Sequence, residues 1–247
     1  MPILQTEEVS KDFGGVHALS GVSIDVEEGR IMGLIGPNGS GKSTLLNLIA
    51  GFYRPTRGRI RFRGSRIDGL PPHRIVRLGI AKTHQVPRPF LDMTVRENLA
   101  VSAMHGTLGS RNVAGGLEEA DRILGYVDMG TRKNTLAGSL TVQEKKRLEL
   151  GRALATGASV LLLDEVFSGL SPEELTGSID LFSRLHRELK FTALVVEHVM
   201  KAVMSLSSQV VVLEEGRKIV EGSPSEVLHD EKVIKAYLGA RSGAVRA

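Results

Sequence analysis

The chain has 247 residues, of which 41% are hydrophobic and 24% charged, with a formal net charge of +4. This length can bury the core of one large domain or two small ones, and no apolar run is long enough to span a bilayer. The absence of cysteine excludes disulfides and thiolate metal sites, and the charge is too small by itself to indicate nucleic-acid binding. Because the first residues lack a basic segment followed by an apolar stretch, we expect no signal peptide and a cytosolic location.

Antiparallel strands are predicted within residues 3–27, ahead of a turn at residues 27–29. Phe13 interrupts a polar turn in this region, where it has little to pack on locally. Its ring can serve as a stacking platform for a flat base, or it can fold back onto the core. Without further information, the second alternative, in which the Phe13 ring packs on the core, is favoured.

A phosphate-binding loop is predicted at residues 36–44, which fit the pattern of glycine, four free positions, Gly-Lys and a hydroxyl residue. A buried strand is predicted at residues 31–35 and a helix at residues 43–50, which is the context that this motif requires. Glycines let backbone N–H groups point into one concavity, and the helix N-terminus adds partial positive charge. The loop consists of Gly36, Pro37, Asn38, Gly39, Ser40, Gly41, Lys42, Ser43 and Thr44.

Two side chains of this loop have the chemistry for a nucleotide and its metal. Lys42 would reach the β- and γ-phosphates, and the Ser43 hydroxyl would bind Mg²⁺. The alternative is an ordinary glycine-rich turn with a solvated lysine, which would not account for the agreement of context and fixed positions.

Arginine alternates with other residues over positions 57–63, so a strand there would place Arg57, Arg59, Arg61 and Arg63 on one face. An arginine row can bind phosphate-rich partners. On a sheet edge it more often keeps the edge soluble, and this second explanation is favoured.

Helices dominate the middle of the chain. A strand is predicted at residues 79–84, with Gln85 at its end. Capping-box spacings at residues 94–97 and 141–144 then predict helices that run to about residues 104 and 156. Between these helices, residues 106–116 are the best candidate for a flexible loop, and a helical pattern resumes over residues 117–129.

An apolar run at residues 159–163 is closed by Asp164 and Glu165. This is the pattern of a central parallel strand whose carboxylates emerge at the carboxyl edge of the sheet. Another buried strand is predicted at residues 191–196, and His198 follows it.

The chain resembles ATP-binding-cassette ATPases over about residues 4–240. The resemblance depends on the order of five features, namely the phosphate loop, Gln85, the helical stretch, Asp164-Glu165 and His198. Residues 147–155, 197–204 and 233–239 look most like the ATP-binding subunits of branched-chain amino-acid importers. The resemblance implies an α/β fold over residues 1–247, a P-loop NTPase core with a mainly parallel sheet, an antiparallel β subdomain and an inserted helical subdomain. The implied boundaries are 1–85 and 158–240 for the core, 86–157 for the helical subdomain and 241–247 for a frayed tail.

The resemblance also implies ATP and Mg²⁺ as cofactors. Phosphoryl transfer to water needs charge neutralisation and a positioned nucleophile. Mg²⁺ would be held by Ser43, the phosphates and Gln85, with Asp164 reached directly or through water. Glu165 would be the general base, because neighbouring side chains on a strand point to opposite sides and leave it free of the metal. His198 would contact the γ-phosphate and hold the water in line.

The same resemblance implies which residues contact the adenine and which form the signature segment. Phe13 is expected to be the adenine platform, with Val16 as a flanking apolar contact. In the family, a signature segment of one subunit closes over ATP held by the other, and here it falls at residues 140–144. Thr141 can replace the usual serine as helix cap and hydroxyl donor. Gln143 stands at a position that is normally glycine, where the backbone should approach phosphate.

The implied assembly is a head-to-tail dimer with a second ATPase subunit, either a sister subunit or another copy, that drives transmembrane permease subunits. A periplasmic solute-binding protein would act indirectly. The chain would lie peripherally at the cytoplasmic face of the inner membrane and energise uptake of branched-chain amino acids or a related small polar solute. Residues 86–99 would form the permease groove with Phe90 and Leu91 as anchors, unless this is a hinge loop with its apolar residues turned inward.

Two other functions are considered. A soluble ATPase of the same family acting on nucleic acid or ribosomes is the main rival, and the arginine row is its only positive sign. A nucleotide-binding module that signals without turnover is the third, and it is supported only by the altered signature. Nucleic acid is therefore not an expected partner.

Overall fold

The computed structural model describes residues 2–107 and 112–243, and the side chains as far as Tyr237. It divides into two compact units, one formed by the residues up to Pro71 with those from Thr192 onward, and the other by Pro72–Phe191. The strands are β1 (Pro2–Phe13), β2 (Val16–Glu27), β3 (Ile31–Ile35), β4 (Arg57–Phe62), β5 (Ser65–Arg66), β6 (Ile80–Lys82), β7 (Val160–Asp164), β8 (Thr192–Val196), β9 (Gln209–Glu214) and β10 (Arg217–Gly222). The helices are α1 (Lys42–Ile49), α2 (Pro72–Leu78), α3 (Val95–His105), α4 (Val113–Tyr126), α5 (Val142–Ala155), α6 (Pro172–Leu189), α7 (Met200–Leu206), α8 (Pro224–His229) and α9 (Glu231–Gly243), with 3₁₀ turns at Gly130–Arg132 and Ala137–Ser139.

The first unit contains an antiparallel sheet in the order β2-β1-β4-β5. β1 and β2 pair from Pro2 opposite Glu27 to Phe13 opposite Val16, so the antiparallel strands predicted over residues 3–27 are confirmed. Apolar residues alternate into the core along the second half of β2, and Leu4 of β1 is fully buried.

The predicted row of four arginines is shorter in the structure. β4 ends at Phe62, and Arg63 has a φ of 48° because it turns the chain together with Gly64 into β5. Arg61 donates from Nε to Oε1 of Glu7 at 2.7 Å. β4 also pairs with β1 and, at its last two residues, with β5, so it is not the free sheet edge that the sequence suggested.

The same unit contains strands in the order β10-β9-β3-β8. β3 lies between β8 and β9, parallel to both, and β10 is antiparallel to β9. All five residues of β3 are buried, as expected for a central parallel strand, and its bounds match the predicted strand at residues 31–35. The phosphate loop therefore begins at the carboxyl end of a central strand and leads into α1.

In the second unit, β6 and β7 are parallel, with Ile80 opposite Val160. The strand predicted over residues 79–84 is only three residues long, so Gln85 lies beyond its end. α3 and α5 begin with the predicted capping boxes, at Thr94 and Thr141. α3, α4 and α5 pack against one another.

The predicted flexible loop at residues 106–116 is wrong at its end, because α4 already begins at Val113. The side chain of Asn112 caps this helix by accepting from the N–H of Gly115 at 2.8 Å. Gly116 is needed for close packing, since a Cβ there would lie 2.6 Å from Cγ of Met104 on α3. Residues 108–111 lie outside the described residues. α9 runs to Gly243, so it includes the start of the frayed tail predicted at residues 241–247, and residues 244–247 lie outside the described residues.

Within the described ranges, no helix combines the length and apolar character that crossing a bilayer requires.

Candidate phosphate-binding and catalytic site

The phosphate loop owes its conformation to glycines in the first unit. Gly36, Gly39 and Gly41 have φ values of 146°, 79° and 100°, which side chains rarely allow. A Cβ at Gly36 would also lie 2.0 Å from the carbonyl oxygen of Leu213 on β9. The spacing of glycines in the sequence is thus explained by backbone conformation and, at Gly36, by close packing.

Lys42 is buried and turns back across this loop. Its Nζ donates to the carbonyl oxygens of Gly36 and Pro37, both at 2.8 Å. Ser43 and Thr44 follow in the first turn of α1, where helix N–H groups and the helix dipole favour an anion. A buried cation and the N-terminus of a helix therefore lie at one loop.

His198 belongs to the same unit as the loop. It lies two residues beyond β8, whose Val196 is opposite Leu34 of β3 in parallel register. The residues after β8 and those after β3 consequently emerge at the same edge of the sheet, and the His198 side chain is exposed there.

Phe13 and Val16 flank the tip of the β1–β2 hairpin, with 41% and 66% of their surface exposed. Phe13 does not fold into the core. Its ring meets that of Tyr53 edge to face, with centroids 5.1 Å apart, and Lys11 Nζ lies 4.8 Å from its centroid. The first unit thus presents an aromatic surface that its neighbours hold in place.

Asp164 ends β7 in the second unit, and it is buried. Its Oδ2 accepts a hydrogen bond from Lys82 Nζ at 3.2 Å, and its backbone N–H donates to Oγ1 of Thr83 at 3.2 Å. Lys82 and Thr83 lie at the end of β6, so two neighbouring parallel strands fix this carboxylate. Lys82 could not be selected from the sequence, because the pairing joins residues that are 82 positions apart.

Glu165 lies outside the strand, and its φ of 51° corrects the argument from alternating strand side chains. The chain turns at this residue, so alternation along the strand does not determine where its side chain points. Gln85 Nε2 donates to Oε2 of Glu165 at 2.6 Å, so the structure brings these two predicted residues together. The Glu165 carbonyl oxygen accepts from Ser168 Oγ at 2.9 Å.

The segment predicted as the signature begins α5. Thr141 caps the helix by accepting from the Glu144 N–H, and the Glu144 carboxylate accepts from the Thr141 N–H at 2.9 Å, which lowers the pKa of Glu144. Gln143 is half-buried beside Lys146 and lines a small cavity in the second unit.

Lys146 connects this helix to the segment that carries the acids. Its Nζ donates to the carbonyl oxygens of Glu165, at 3.4 Å, and Ser168. Sequence reasoning missed Lys146 because a lysine on an amphipathic helix is normally solvated.

A network of hydrogen bonds around the buried Glu149 supports the segment after Gln85. Glu149 on α5 contacts His84 Nδ1 through Oε1 at 3.0 Å and Arg152 Nη1 through Oε2 at 3.0 Å. Burial alone would raise the pKa of Glu149, but the His84 hydrogen bond and the Arg152 charge hold it below its usual range. Arg152 also donates to the Arg88 carbonyl oxygen at 2.8 Å, which fixes the backbone of this segment.

Phe90 and Leu91 are 47% and 54% exposed, so the inward-turned alternative for this segment is wrong. The Arg152 guanidinium lies 5.3 Å from the Phe90 ring centroid and supports the ring at the surface.

Comparisons with known proteins agree with this geometry. Residues 19–168 match the ABC transporter family model, and residues 217–242 match the model for branched-chain amino acid ATP-binding cassette transporters. The chain is 39% identical to the high-affinity branched-chain amino acid transport ATP-binding protein BraF of Pseudomonas aeruginosa, over 96% of this chain and 98% of the relative. It is 37% identical to the probable branched-chain amino acid transport ATP-binding protein LivG of Archaeoglobus fulgidus, over 99% and 98% of the two chains.

Solved structures show the same fold. A nucleotide-free ATP-binding cassette from an ABC transporter superposes with a TM-score of 0.85 at 34% identity, covering 96% of this chain and 99% of that one. A cassette in its ADP conformation gives a TM-score of 0.86 at 34% identity, with 97% and 99% covered.

Proposed function

Because the chain belongs to the ABC transporter family of ATP-binding cassettes, we propose that it is the ATP-binding subunit of an importer for branched-chain amino acids or a related small polar solute. As a member of this family it is an α/β ATPase that uses ATP and Mg²⁺. The match of residues 217–242 to the branched-chain amino acid transporter model supports the choice of solute.

The observation that carries the proposal is the buried Lys42, held by two carbonyl oxygens across a loop whose glycines have positive φ. A cradle of backbone N–H groups with a cation at its centre fits the phosphates of a nucleotide. The Ser43 hydroxyl and the oxygens of Gln85 and Asp164 are the hard ligands that Mg²⁺ prefers.

The bound ion would neutralise developing charge on the phosphates, which is the chemistry that it supplies. In this proposal Lys42 binds the phosphates, and Glu165 accepts the proton of the attacking water. Gln85 orients the Glu165 carboxylate through the 2.6 Å hydrogen bond, and His198 positions the water. Phe13 and Val16 provide the surface on which the adenine stacks.

The proposed assembly is a head-to-tail dimer in which Thr141 and Gln143 of one subunit face the nucleotide of the other. The permease subunits would dock on residues 86–99, where Phe90 and Leu91 are exposed. In this arrangement the chain is peripheral at the cytoplasmic face of the inner membrane, and a periplasmic solute-binding protein delivers the solute. The mutual packing of α3, α4 and α5 supports residues 86–157 as a helical subdomain of a single ATPase domain.

The test has a binding step and a transport step. Lys42→Ala should weaken MgATP binding about 10- to 100-fold, since a charge-assisted contact is lost, whereas Lys235→Ala on an exposed face should not. Membrane vesicles that carry the permease subunits and enclose the wild-type chain should take up labelled leucine when MgATP is inside and the solute-binding protein is supplied outside.

Equal MgATP affinity in the wild type and Lys42→Ala would contradict the phosphate site. Co-purification of the chain with RNA, and no association with a permease, would favour the rival function on nucleic acid or ribosomes.

A further inference from the structure

The side chain of Tyr237 joins the C-terminal helix α9 to the phosphate loop. Its hydroxyl oxygen accepts a hydrogen bond of 2.9 Å from the backbone N–H of Gly36, the first residue of the loop. The two residues are 201 positions apart in the sequence, so this contact is a product of the fold. In the sequence, residues 233–239 resemble importer subunits, and that resemblance assigns no role to Tyr237.

Packing fixes the ring of Tyr237. It lies half-buried against an apolar cluster that includes Ile35 and Val233. Ile35 directly precedes Gly36, and Val233 lies one turn before Tyr237 on α9, so one cluster supports both ends of the contact. Burial raises the pKa of the Tyr237 hydroxyl, although the Gly36 N–H opposes this, and the phenol therefore stays protonated at neutral pH.

Gly36 is held on its other side as well. Its carbonyl oxygen accepts from Lys42 Nζ at 2.8 Å, and the carbonyl oxygen of Leu213 leaves no room for a Cβ. Tyr237 and Lys42 thus hold two successive peptide groups at the start of the loop. The direction in which the following N–H groups point depends on this start.

We infer that Tyr237 is a positioning residue for phosphate binding, and that its hydroxyl holds the loop in its binding conformation. The inference rests on the proposed function of residues 36–44. If the loop is ordered before the nucleotide binds, less conformational entropy is lost on binding. The hydrogen bond between Tyr237 and Gly36, which we call the latch, therefore increases the affinity for nucleotide. Tyr237 contacts the loop backbone through one neutral hydrogen bond, and its loss should weaken nucleotide binding about 3- to 10-fold.

The test compares the full-length wild type, Tyr237→Phe and Val227→Ala. The phenylalanine variant keeps the ring and loses the hydroxyl. Val227 on α8 is buried in the same apolar cluster, so Val227→Ala reports what destabilising that cluster does by itself. Two quantities are measured on each chain, namely the hydrogen-exchange rate of the Gly36 amide without nucleotide and the Kd for MgADP.

Tyr237→Phe should accelerate exchange at Gly36 and raise the Kd for MgADP about 3- to 10-fold. Val227→Ala should lower Tm and leave both quantities within about twofold of wild type. In the assembled transporter, Tyr237→Phe should raise KM for ATP and leave kcat nearly unchanged, because the hydroxyl makes its contact with the loop alone.

Equal exchange rates and equal Kd values in the wild type and Tyr237→Phe would overturn the inference. Faster exchange with an unchanged Kd would overturn the role in phosphate binding, and so would an equally large Kd increase in Val227→Ala. A wild-type chain that binds no MgADP would instead overturn the proposed function, while exchange at Gly36 would still decide whether the latch exists.

Discussion

The side-chain amide of Gln85 donates a 2.6 Å hydrogen bond to Oε2 of Glu165. A neutral donor holds the carboxylate in one orientation and adds no opposite charge beside it. The carbonyl oxygen of the same Gln85 side chain is chemically suited to a cation. In the proposed function, one residue would therefore bind the metal and position the base.

Replacing Glu165 with glutamine should abolish turnover and preserve binding. The new amide can still accept from Gln85, but it cannot take a proton, so we expect kcat to fall about 10²- to 10⁴-fold. The Kd for MgATP should stay within about twofold of wild type. Single-turnover hydrolysis in the assembled transporter measures the first quantity, with the exposed Glu188→Gln as control. Near wild-type hydrolysis in Glu165→Gln would remove Glu165 from the role of base.

Lys146→Met should lower kcat about 10-fold with little change in ATP affinity. Lys146 Nζ holds the carbonyl oxygens of Glu165 and Ser168, and a small misplacement of a catalytic group is costly in rate. Lys145→Met is the matched control, because Lys145 is on the same helix and donates to Gly138 instead. If both variants lose the same activity, loss of lysine on α5 explains the effect and the contact with Glu165 does not.

Glu149→Gln should change how stability depends on pH. The pKa of Glu149 lies below its usual value, so the ionised side chain stabilises the fold at pH values above the ordinary carboxyl pKa of ~4.3. This contribution is lost as the pH falls through the lower pKa of the folded state. The variant should therefore be less stable than wild type by about 2 kcal/mol at pH 7.

The difference between Glu149→Gln and wild type should shrink below about pH 4. Denaturant unfolding of both chains between pH 3 and pH 7 measures it. A constant difference across this range would show that ionisation of Glu149 does not contribute.

Gln143→Gly tests whether the altered signature slows one site of the proposed dimer. In the proposed dimer, a side chain at this contact would displace the N-terminus of α5 from phosphate, and about 1 Å of displacement can cost on the order of 10²-fold in rate. We expect the glycine variant to hydrolyse ATP faster, with the increase confined to the partner's site in a heterodimer. Site-resolved trapping of nucleotide in the purified complex measures this. An unchanged rate would mean that the Gln143 amide replaces the missing backbone contact.

Local patterns predicted the parts of the structure that depend on local interactions. β3 and the caps at Thr94 and Thr141 were located from apolar runs and capping spacings, which act over a few residues. The start of α4 was not predicted, because glycines are typical of loops. The contact of Gly116 with Met104 on α3, which explains a glycine there, is visible only in the structure.

The residues of the candidate site likewise differ in whether they could be predicted from local sequence. Lys42 was identifiable because the whole loop motif is contiguous in the sequence. The contacts of Lys82, Lys146 and Tyr237 were not, since each joins distant parts of the chain that only the fold brings together. The catalytic and metal-binding roles of the site residues stay predictions.

Glu165 has a φ of 51°, a backbone conformation that costs stability at a position where the proposed function requires a carboxylate. A left-handed backbone costs a residue with a side chain roughly 1–2 kcal/mol, whereas glycine adopts it freely. Folding alone therefore favours glycine at this position, and the proposed role of Glu165 as base is a reason for the acid to be kept there. A laboratory screen for heat-resistant variants that ignores ATP turnover should therefore recover Glu165→Gly among its first inactive survivors.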